Sequence, residues 1–239
     1  PEPLPENLTA MIAKMKEGSY DLGIVVDPDV DRLCFISEDG SPFGEEYTLV
    51  AIADYILSIE KGNTVSNFSS TRALADVTLK HGGTYFAAAV GEVNVVAKMK
   101  SEQAIIGGEG NGGVIFPESH YGRDALVGIG LFLTHLARKN KKVSALRAEY
   151  PAYIMSKNKI ELSANLNVDL ILATVAEQYK LERVNTIDGV KIDFADRWVH
   201  LRKSNTEPII RIYAEASSET EADTLAQQIM DVITEIAKG

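Results

Sequence analysis

Three aspartates occupy alternate positions in the segment DPDVDR, at residues 27, 29 and 31. In so short a segment, their carboxylates would repel one another unless a cation lay among them. Asp27, Asp29 and Asp31 therefore indicate a site for a hard divalent cation. An acidic surface turn that binds nothing is the alternative. We call residues 27–32 the acidic loop.

A calcium EF-hand is the competing interpretation of the acidic loop. The sixth position of that pattern is Arg32, where the sharp turn needs glycine, and β-branched segments rather than helices flank the loop. Three carboxylates that leave room for water and phosphate oxygens suit magnesium better than calcium. The sequence therefore favours Mg²⁺.

A second segment, GGEGNGG at residues 107–113, has five glycines in seven positions and is called the glycine loop. It matches G-x-G-x-x-G, but the residues from Val114 to Pro117 are extended in character where a dinucleotide-binding motif needs a helix. We therefore reject a dinucleotide site. The side chains of Glu109 and Asn111 suit sugar hydroxyls or an amino group. A plain glycine turn is the alternative.

A third segment, RKSNTEP at residues 202–208, is called the basic loop. It presents a guanidinium, two hydroxyls and an amide, and Arg211 follows on the next predicted strand. Such groups hold a dianionic phosphate through charge-assisted hydrogen bonds. A turn that satisfies its own backbone is equally compatible with the pattern. The residues concerned are Arg202, Ser204, Asn205 and Thr206.

Composition limits the classes of partner and compartment. The chain carries 24 Lys and Arg against 34 Asp and Glu, a net charge of −10, with no basic run, which argues against nucleic acid and membrane surfaces as partners. The single cysteine, Cys34, allows no internal disulfide. The apolar stretch 125–137 is shorter than the about 20 residues that cross a bilayer, and the first residues lack a signal-peptide pattern. We expect a cytoplasmic protein.

The elements that must position these loops alternate between strand and helix over the first part of the chain. Short β-branched segments flank the acidic loop, and helical spacing begins at Glu45. Residues 125–136 are apolar on all sides, which predicts a helix packed on both faces. The pattern changes near residue 148, after which clustered strands lie between two helical segments. The fold class predicted is α/β, followed by a smaller α+β domain.

Other chemically capable side chains are assigned structural roles. His135 lies in an apolar helix and is expected to be packed, and His81 ends a helix. His120 and Arg123, in ESHYGRD, could line a cleft, but an exposed loop pair is the default expectation.

The three loops, in this order and separated by roughly 80 and 90 residues, resemble the metal, sugar-recognition and phosphate loops of the α-D-phosphohexomutases. The segments SSTRAL (69–74) and VGEVNVVAKM (90–99) also resemble that family. Within it, the sequence is most similar to the phosphoglucosamine mutase and phosphomannomutase group. Many relatives carry histidine where this chain has Gly113.

The resemblance implies a mixed-sheet α/β fold and a division into three parts. Residues 1–42 would be the end of the second domain, 43–147 the third domain and 148–239 the fourth. The family's phosphoserine lies in a T-A-S-H-N-P type segment, which this sequence lacks. The chain alone is therefore expected to be inactive.

The resemblance also implies residue roles and partners. The acidic triplet would bind Mg²⁺, and Arg32 would contact the transferring phosphoryl group. Glu109 and Asn111 would form hydrogen bonds with sugar hydroxyls, and Arg72 would be a further residue of the cleft. Arg202, Ser204, Asn205 and Thr206 would hold the substrate phosphate. The expected partners are a hexose phosphate and a hexose bisphosphate, with glucosamine phosphate preferred. Alternatives are a phosphomannomutase or phosphoglucomutase and, in another class, a non-catalytic sugar-phosphate binding module. The oligomeric state is left open.

Overall fold

The structure, a computed structural model, describes residues 2–3, 5–161, 166–204 and 209–238. The chain divides into two compact units, Pro1–Pro151 and Ala152–Gly239. Unit 1 contains two sheets and unit 2 contains one, and each unit has buried hydrophobic clusters of its own. Among the described residues, no helix combines the length and apolar character needed to cross a membrane.

Unit 1 begins with a 3-10 turn and then alternates strands and helices. The α-helices are α1 Thr9–Glu17, α2 Glu45–Ile59, α3 Ala73–Lys80, α4 Glu92–Ser101, α5 Ala125–Lys139 and α6 Val143–Arg147. The strands are β1 Leu22–Val26, β2 Leu33–Ser37, β3 Asn63–Asn67, β4 Tyr85–Ala88, β5 Ala104–Glu109 and β6 Gly113–Ile115.

The sheets of unit 1 place the acidic and glycine loops at strand ends. β1 and β2 form an antiparallel hairpin in which Val26 pairs with Leu33, so the acidic loop is the hairpin connection. A second sheet has the order β4-β3-β5-β6. β3 runs parallel to β4 and β5, as α/β alternation requires, whereas β6 turns back antiparallel on β5. The glycine loop comprises the end of β5, the tight turn at residues 110–112 and the first residue of β6.

Helix α2 and a cluster of aromatic rings form the core beside the hairpin. The rings of Phe35 and Phe132 stack with centroids 3.8 Å apart, and Phe43 meets Phe132 edge-on at 5.2 Å. Helix α5 presents only one face to this core, because Leu126 and Leu133 are 69% and 43% exposed. The expectation that α5 is packed on both faces is therefore wrong for the described chain.

Unit 2 is a five-stranded antiparallel sheet with two helices packed on its apolar face. The strands are β7 Ile154–Glu161, β8 Arg183–Asn185, β9 Val190–Asp193, β10 Trp198–Lys203 and β11 Ile209–Ala216, and the helices are α7 Val168–Gln178 and α8 Glu219–Lys238. The strand order is β7-β11-β10-β9-β8. Alternate residues such as Leu201 and Ile212 pack against Ile229 of α8. The predicted α/β class, with mixed sheets and an α+β second part, is confirmed.

His200 gives unit 2 a pH-dependent stability. Its ring is buried in β10 with Nε2 2.7 Å from the carbonyl oxygen of Asp188, so the neutral imidazole donates that hydrogen bond. Burial lowers the pKa of His200 to about 4, from an ordinary value of 6.5. The unfolded chain therefore binds a proton between these pH values that the folded chain does not.

We predict that the free energy of unfolding of unit 2 falls by about 2 kcal/mol between pH 7 and pH 5 because of His200. The stabilisation is complete above pH 6.5 and is lost as the pH falls toward 4. Denaturant unfolding followed by the fluorescence of Trp198, the chain's only tryptophan, measures this unit. In His200→Gln the same change of pH should lower the free energy of unfolding by correspondingly less. Equal pH dependence in both proteins would contradict the prediction.

Candidate functional site

The acidic loop is shaped by hydrogen bonds to its first aspartate. Asp27 Oδ1 accepts hydrogen bonds from the backbone N–H groups of Asp31, at 3.1 Å, and Arg32, at 3.0 Å. Val30 adopts a left-handed conformation with φ 58°, and its carbonyl oxygen accepts from the N–H of Ala125 at 3.1 Å. A non-glycine residue at positive φ is strained, so these contacts hold the loop in one shape against the start of α5.

The three predicted metal ligands are brought together. Ligand oxygens of Asp27, Asp29 and Asp31 lie within 4.8 Å of one another, and their side chains range from buried to exposed. Asp31 Oδ1 is buried and accepts no hydrogen bond from the described residues. An all-oxygen donor set with one unsatisfied buried acceptor fits a hard divalent cation such as Mg²⁺.

Asp27, which is buried, and Asp31, which is partly buried, have opposite pKa shifts. Burial raises the pKa of Asp27, but the backbone N–H groups of Arg32 and Asp31 outweigh it, and the net pKa lies below the ordinary value. Burial also raises the pKa of Asp31, and although the guanidinium of Arg123 opposes this, the negative charges of Asp27 and Asp29 add to it. The three carboxylates of the loop outnumber the two guanidinium groups, of Arg32 and Arg123, that contact them.

Arg32 lies along the acidic loop. Its Nε is 3.6 Å from Asp27 Oδ2 and 3.7 Å from Asp31 Oδ1, and the other end of the guanidinium contacts Glu2. Arg32 Nε makes no hydrogen bond with the described residues. These are ion-pair distances without directed hydrogen bonds, so the guanidinium keeps a donor for another acceptor.

The carboxylate of Glu109 is buried and hydrogen-bonded to several parts of unit 1 rather than exposed to solvent. Its Oε1 accepts from Asn67 Nδ2 at 2.8 Å and from the backbone N–H of Gly91 at 3.0 Å. Its Oε2 accepts from Arg123 Nη1 at 2.9 Å. Both oxygens are therefore engaged by protein donors, although a carboxylate has lone pairs for a further one. Asn111 Oδ1 accepts from the N–H of Gly113 at 3.2 Å, which steadies the turn.

The glycine loop is docked on the residue that follows the acidic loop. The N–H of Leu33 donates to the carbonyl oxygen of Gly112 at 3.0 Å. Gly112 has φ +89°, and a Cβ there would lie 2.3 Å from the carbonyl oxygen of Leu33. Glycine is required at this position, because any side chain would separate the two loops. Unit 1 therefore brings the acidic and glycine loops together.

Arg123 contradicts the expectation of an exposed loop pair. Its side chain is only 15% exposed and contacts carboxylates from three parts of unit 1. Nε lies 3.1 Å from Glu92 Oε2, Nη1 contacts Glu109 as described above, and Nη2 hydrogen-bonds Asp31 Oδ2. His120 does lie exposed, with Nε2 2.9 Å from Asp124 Oδ2. Sequence reasoning missed Arg123 because no local pattern indicates partners that are distant from it in the sequence.

Arg72 begins α3 and is partly buried. It follows Ser70, whose Oγ accepts from the N–H of Gly110 at 2.9 Å. Thr71, between them, donates its N–H to Glu46 Oε2 at 2.9 Å. The segment that carries Arg72 is therefore in direct contact with the glycine loop.

The basic loop lies in unit 2, and the structure describes only part of it. Arg202 on β10 pairs with Arg211 on β11, and Arg211 pairs with Lys159 on β7. Paired residues of neighbouring strands point to the same face, so three cations lie in a row across the sheet. Arg202 Nε is 3.0 Å from Asp188 Oδ2. Asn205 and Thr206 lie outside the described residues.

A row of like charges across a sheet is unfavourable unless an anion lies against it. Beside the row is a depression of about 430 Å³ lined by residues of β7 and β11, among them Lys159, Arg211 and Tyr213. The N–H of Ser204 donates to the carbonyl oxygen of Ile209 at 3.0 Å, which closes the ends of the basic loop. This face of unit 2 suits a phosphate group.

Two family descriptions match the chain. Residues 44–153 match the phosphoglucomutase/phosphomannomutase alpha/beta/alpha domain III, and residues 137–232 match the C-terminal domain of the same family.

Two curated relatives span the whole chain. A phosphoglucomutase/phosphomannomutase of Thermococcus kodakarensis is 35% identical over 100% of this chain and 53% of its own length. A probable phosphoglucosamine mutase of Methanopyrus kandleri is 33% identical over 98% of this chain and 52% of its own length. The chain therefore spans about half the length of the curated relatives it matches.

Solved structures share the fold. A phosphoglucomutase/phosphomannomutase family protein of Burkholderia thailandensis superposes with a TM-score of 0.83 and 28% identity, covering 98% of this chain and 51% of that one. An N-acetylphosphoglucosamine mutase of Aspergillus fumigatus, solved with GlcNAc-6P and magnesium, superposes with a TM-score of 0.64 and 16% identity, covering 88% and 51%. At that identity the second likeness shows the fold alone.

We predict that Gly112→Ala lowers the free energy of unfolding of unit 1 by about 2 kcal/mol or more, because a side chain there meets the carbonyl of Leu33 at positive φ. Gly130→Ala is the matched control. Gly130 is exposed in α5, and a Cβ at that position would have nothing within 4 Å, so alanine should stabilise by about 0.5–1 kcal/mol. Circular dichroism during denaturant unfolding measures both. Equal effects of the same sign would show that the docking of the two loops is misassigned.

Proposed function

The chain belongs to the phosphoglucomutase/phosphomannomutase family, and from this we propose that it supplies the metal, sugar-recognition and phosphate loops of a phosphohexomutase. Such an enzyme moves a phosphoryl group between two hydroxyls of a hexose phosphate. One observation carries the proposal. The acidic loop leaves the buried Asp31 Oδ1 without a hydrogen bond from the described residues and lies against the glycine loop.

Asp27, Asp29 and Asp31 would hold the metal ion. Asp27 is fixed by backbone donors, Asp31 by Arg123, and Asp29 is exposed, so the triplet combines two oriented ligands with one adaptable ligand. When bound, Mg²⁺ supplies positive charge that offsets the negative charge of a phosphoryl group. Arg32 adds a guanidinium on the same side, and its Nε makes no hydrogen bond with the described residues.

The glycine loop would contact the sugar. Asn111 is partly buried at the turn, and its amide retains donors for a hydroxyl. Glu109 would accept a hydrogen bond from a sugar hydroxyl through its remaining lone pairs. Its position is held by Asn67, Gly91 and Arg123. The close backbone of the glycines leaves space for a sugar ring. Arg72, in the segment that contacts this loop, is proposed as a further cleft residue.

The basic loop would anchor the phosphate that does not react. Arg202 and Ser204 are described on the cationic face of unit 2, and we propose that Asn205 and Thr206 complete the contact. Anchoring the distant phosphate uses binding energy to fix the reacting hydroxyl in place. Because the two phosphates of a bisphosphate exchange positions, the sugar must bind in two orientations.

The proposed reaction follows the family's scheme. The bond from phosphorus to a serine oxygen breaks as a bond to a sugar hydroxyl oxygen forms, and the proton of that hydroxyl passes, in the net reaction, to the released serine oxygen. The bisphosphate then reverses its orientation in the site and returns its other phosphoryl group to the serine. Because the sequence contains no T-A-S-H-N-P segment, we propose that this chain alone does not catalyse the reaction.

Glucosamine 6-phosphate, converted to glucosamine 1-phosphate, is our preferred substrate. Its support is the name of the Methanopyrus kandleri relative and the similarity of the loops. Mannose and glucose phosphates are the alternatives, in keeping with the name of the Thermococcus kodakarensis relative. The partners of this chain would be a hexose phosphate and its bisphosphate, in the cytoplasm.

We predict that two variants separate the metal and phosphate sites in calorimetric titrations of the chain. Asp29→Asn should weaken Mg²⁺ binding by about tenfold or more, since the carboxylate charge is lost, and leave glucosamine 6-phosphate binding unchanged. Arg202→Ala should weaken binding of the sugar phosphate by about 2 kcal/mol and leave Mg²⁺ binding unchanged.

Each variant is thus the control for the other. Asp196→Asn, an exposed aspartate of unit 2, makes the same change in net charge as Asp29→Asn and should affect neither titration. Titration of the wild-type chain with the three hexose phosphates ranks the substrates. Unchanged Mg²⁺ affinity in Asp29→Asn would remove the metal site, and unchanged sugar-phosphate affinity in Arg202→Ala would remove the phosphate site.

A further inference from the structure

Arg123 joins three separate parts of unit 1 through one guanidinium. It lies between β6 and α5, and its partners are Asp31 in the acidic loop, Glu92 at the start of α4 and Glu109 at the end of β5. The Glu92 contact is 3.1 Å and the Glu109 contact is 2.9 Å. A planar guanidinium with five N–H donors can serve several acceptors at once, which a lysine ammonium does less well.

Arg123 compensates charge that is mostly withdrawn from water. The side chain of Glu109 is 5% exposed and that of Asp31 is 18% exposed. A buried carboxylate that loses its partner is costly, so the two loops depend on this arginine for their charge balance. Glu92 is more exposed, at 36%, and its contact contributes less.

The contact with Asp31 also orients a proposed metal ligand. Arg123 binds Oδ2 of that carboxylate, while Oδ1 makes no hydrogen bond with the described residues. A carboxylate that is held by one oxygen presents the other in a fixed direction. Outer partners of this kind set the orientation of ligating side chains, and their loss typically weakens metal affinity by about 10–100-fold.

The path of Arg123 also accounts for the glycine at residue 113. A Cβ on Gly113 would lie 2.4 Å from Arg123 Cδ and 3.1 Å from its Cγ. The arginine side chain therefore occupies the volume that a side chain at residue 113 would need. Residues 113 and 123 are alternatives for one space beside the acidic and glycine loops.

We propose that Arg123 is a positioning residue of the metal site, which fixes the Asp31 carboxylate and ties it to Glu109 in the volume left open by Gly113. This inference rests on the proposed function, because it takes the acidic loop as a cation site. It adds that the acidic and glycine loops are coupled. A change at the carboxylate of Asp31 is transmitted to the carboxylate of Glu109 through the guanidinium of Arg123.

Electron paramagnetic resonance titration with Mn²⁺ tests the role in the metal site. Arg123→Met should weaken Mn²⁺ binding to the chain by about 10–100-fold, and Arg123→Lys should lie between it and the wild type. Glu92→Gln removes the negative charge of one partner of the same arginine and should bind Mn²⁺ as the wild type does. If Arg123→Met does not fold, Arg123→Lys is compared with Glu92→Gln, and a weaker affinity of the lysine variant alone supports the proposal.

A double-mutant cycle tests the shared volume. Gly113→Ala should lower the thermal midpoint in the wild-type background, where its Cβ meets Arg123, and should lower it much less in Arg123→Ala, which lacks Cδ. Equal shifts in the two backgrounds would overturn this part of the proposal.

The outcomes separate the inference from the function on which it rests. If the wild-type chain and Arg123→Met bind Mn²⁺ equally while the variant is less stable, Arg123 is only structural and the inference is overturned. If the wild-type chain binds no Mn²⁺, the metal site itself fails, and the inference fails with it. Weaker Mn²⁺ binding in Arg123→Met, with wild-type binding in Glu92→Gln, supports both.

Discussion

Neutralisation of carboxylates in a partly buried turn is the constraint on which the site depends. Asp27 is satisfied by backbone N–H groups, which give the loop its shape, and Asp31 is satisfied on one oxygen by Arg123. The second oxygen of Asp31 makes no hydrogen bond with the described residues and lies 3.7 Å from Arg32 Nε, and Asp29 is exposed. The three carboxylates of the loop thus outnumber the two guanidinium groups, of Arg32 and Arg123, that contact them. We propose that a divalent cation resolves this imbalance, since the hairpin, the start of α5 and the glycine loop are arranged around the acidic loop.

The features readable from the sequence are those set by nearby residues. The alternate spacing of Asp27, Asp29 and Asp31 keeps the three carboxylates within one short segment, and their ligand oxygens lie within 4.8 Å of one another. The sequence also predicts the strands on either side of the acidic loop and the helix that begins at Glu45, and the structure confirms them. Local hydrophobic period and turn chemistry suffice for such elements.

The features that sequence reasoning missed depend on contacts between distant residues. The sequence places Arg123 in an exposed loop, yet it contacts Asp31, 92 residues away, and Glu109, 14 residues away. The family resemblance assigns Glu109 to a sugar, and no local pattern indicates that both of its oxygens are engaged by protein donors. The row of cations in unit 2 follows from the register of β7, β11 and β10, which pairs Arg211 with both neighbours. Strand register between distant segments is set by tertiary packing rather than by spacing along the chain.

Anomalous scattering from crystals of the chain grown with Mn²⁺ tests the central claim most directly. The account predicts one ion at the acidic loop, coordinated by oxygens of Asp27, Asp29 and Asp31, with Asp31 Oδ1 among them and Arg123 still on Oδ2. An ion bound elsewhere, or at this loop without Asp31, would contradict it.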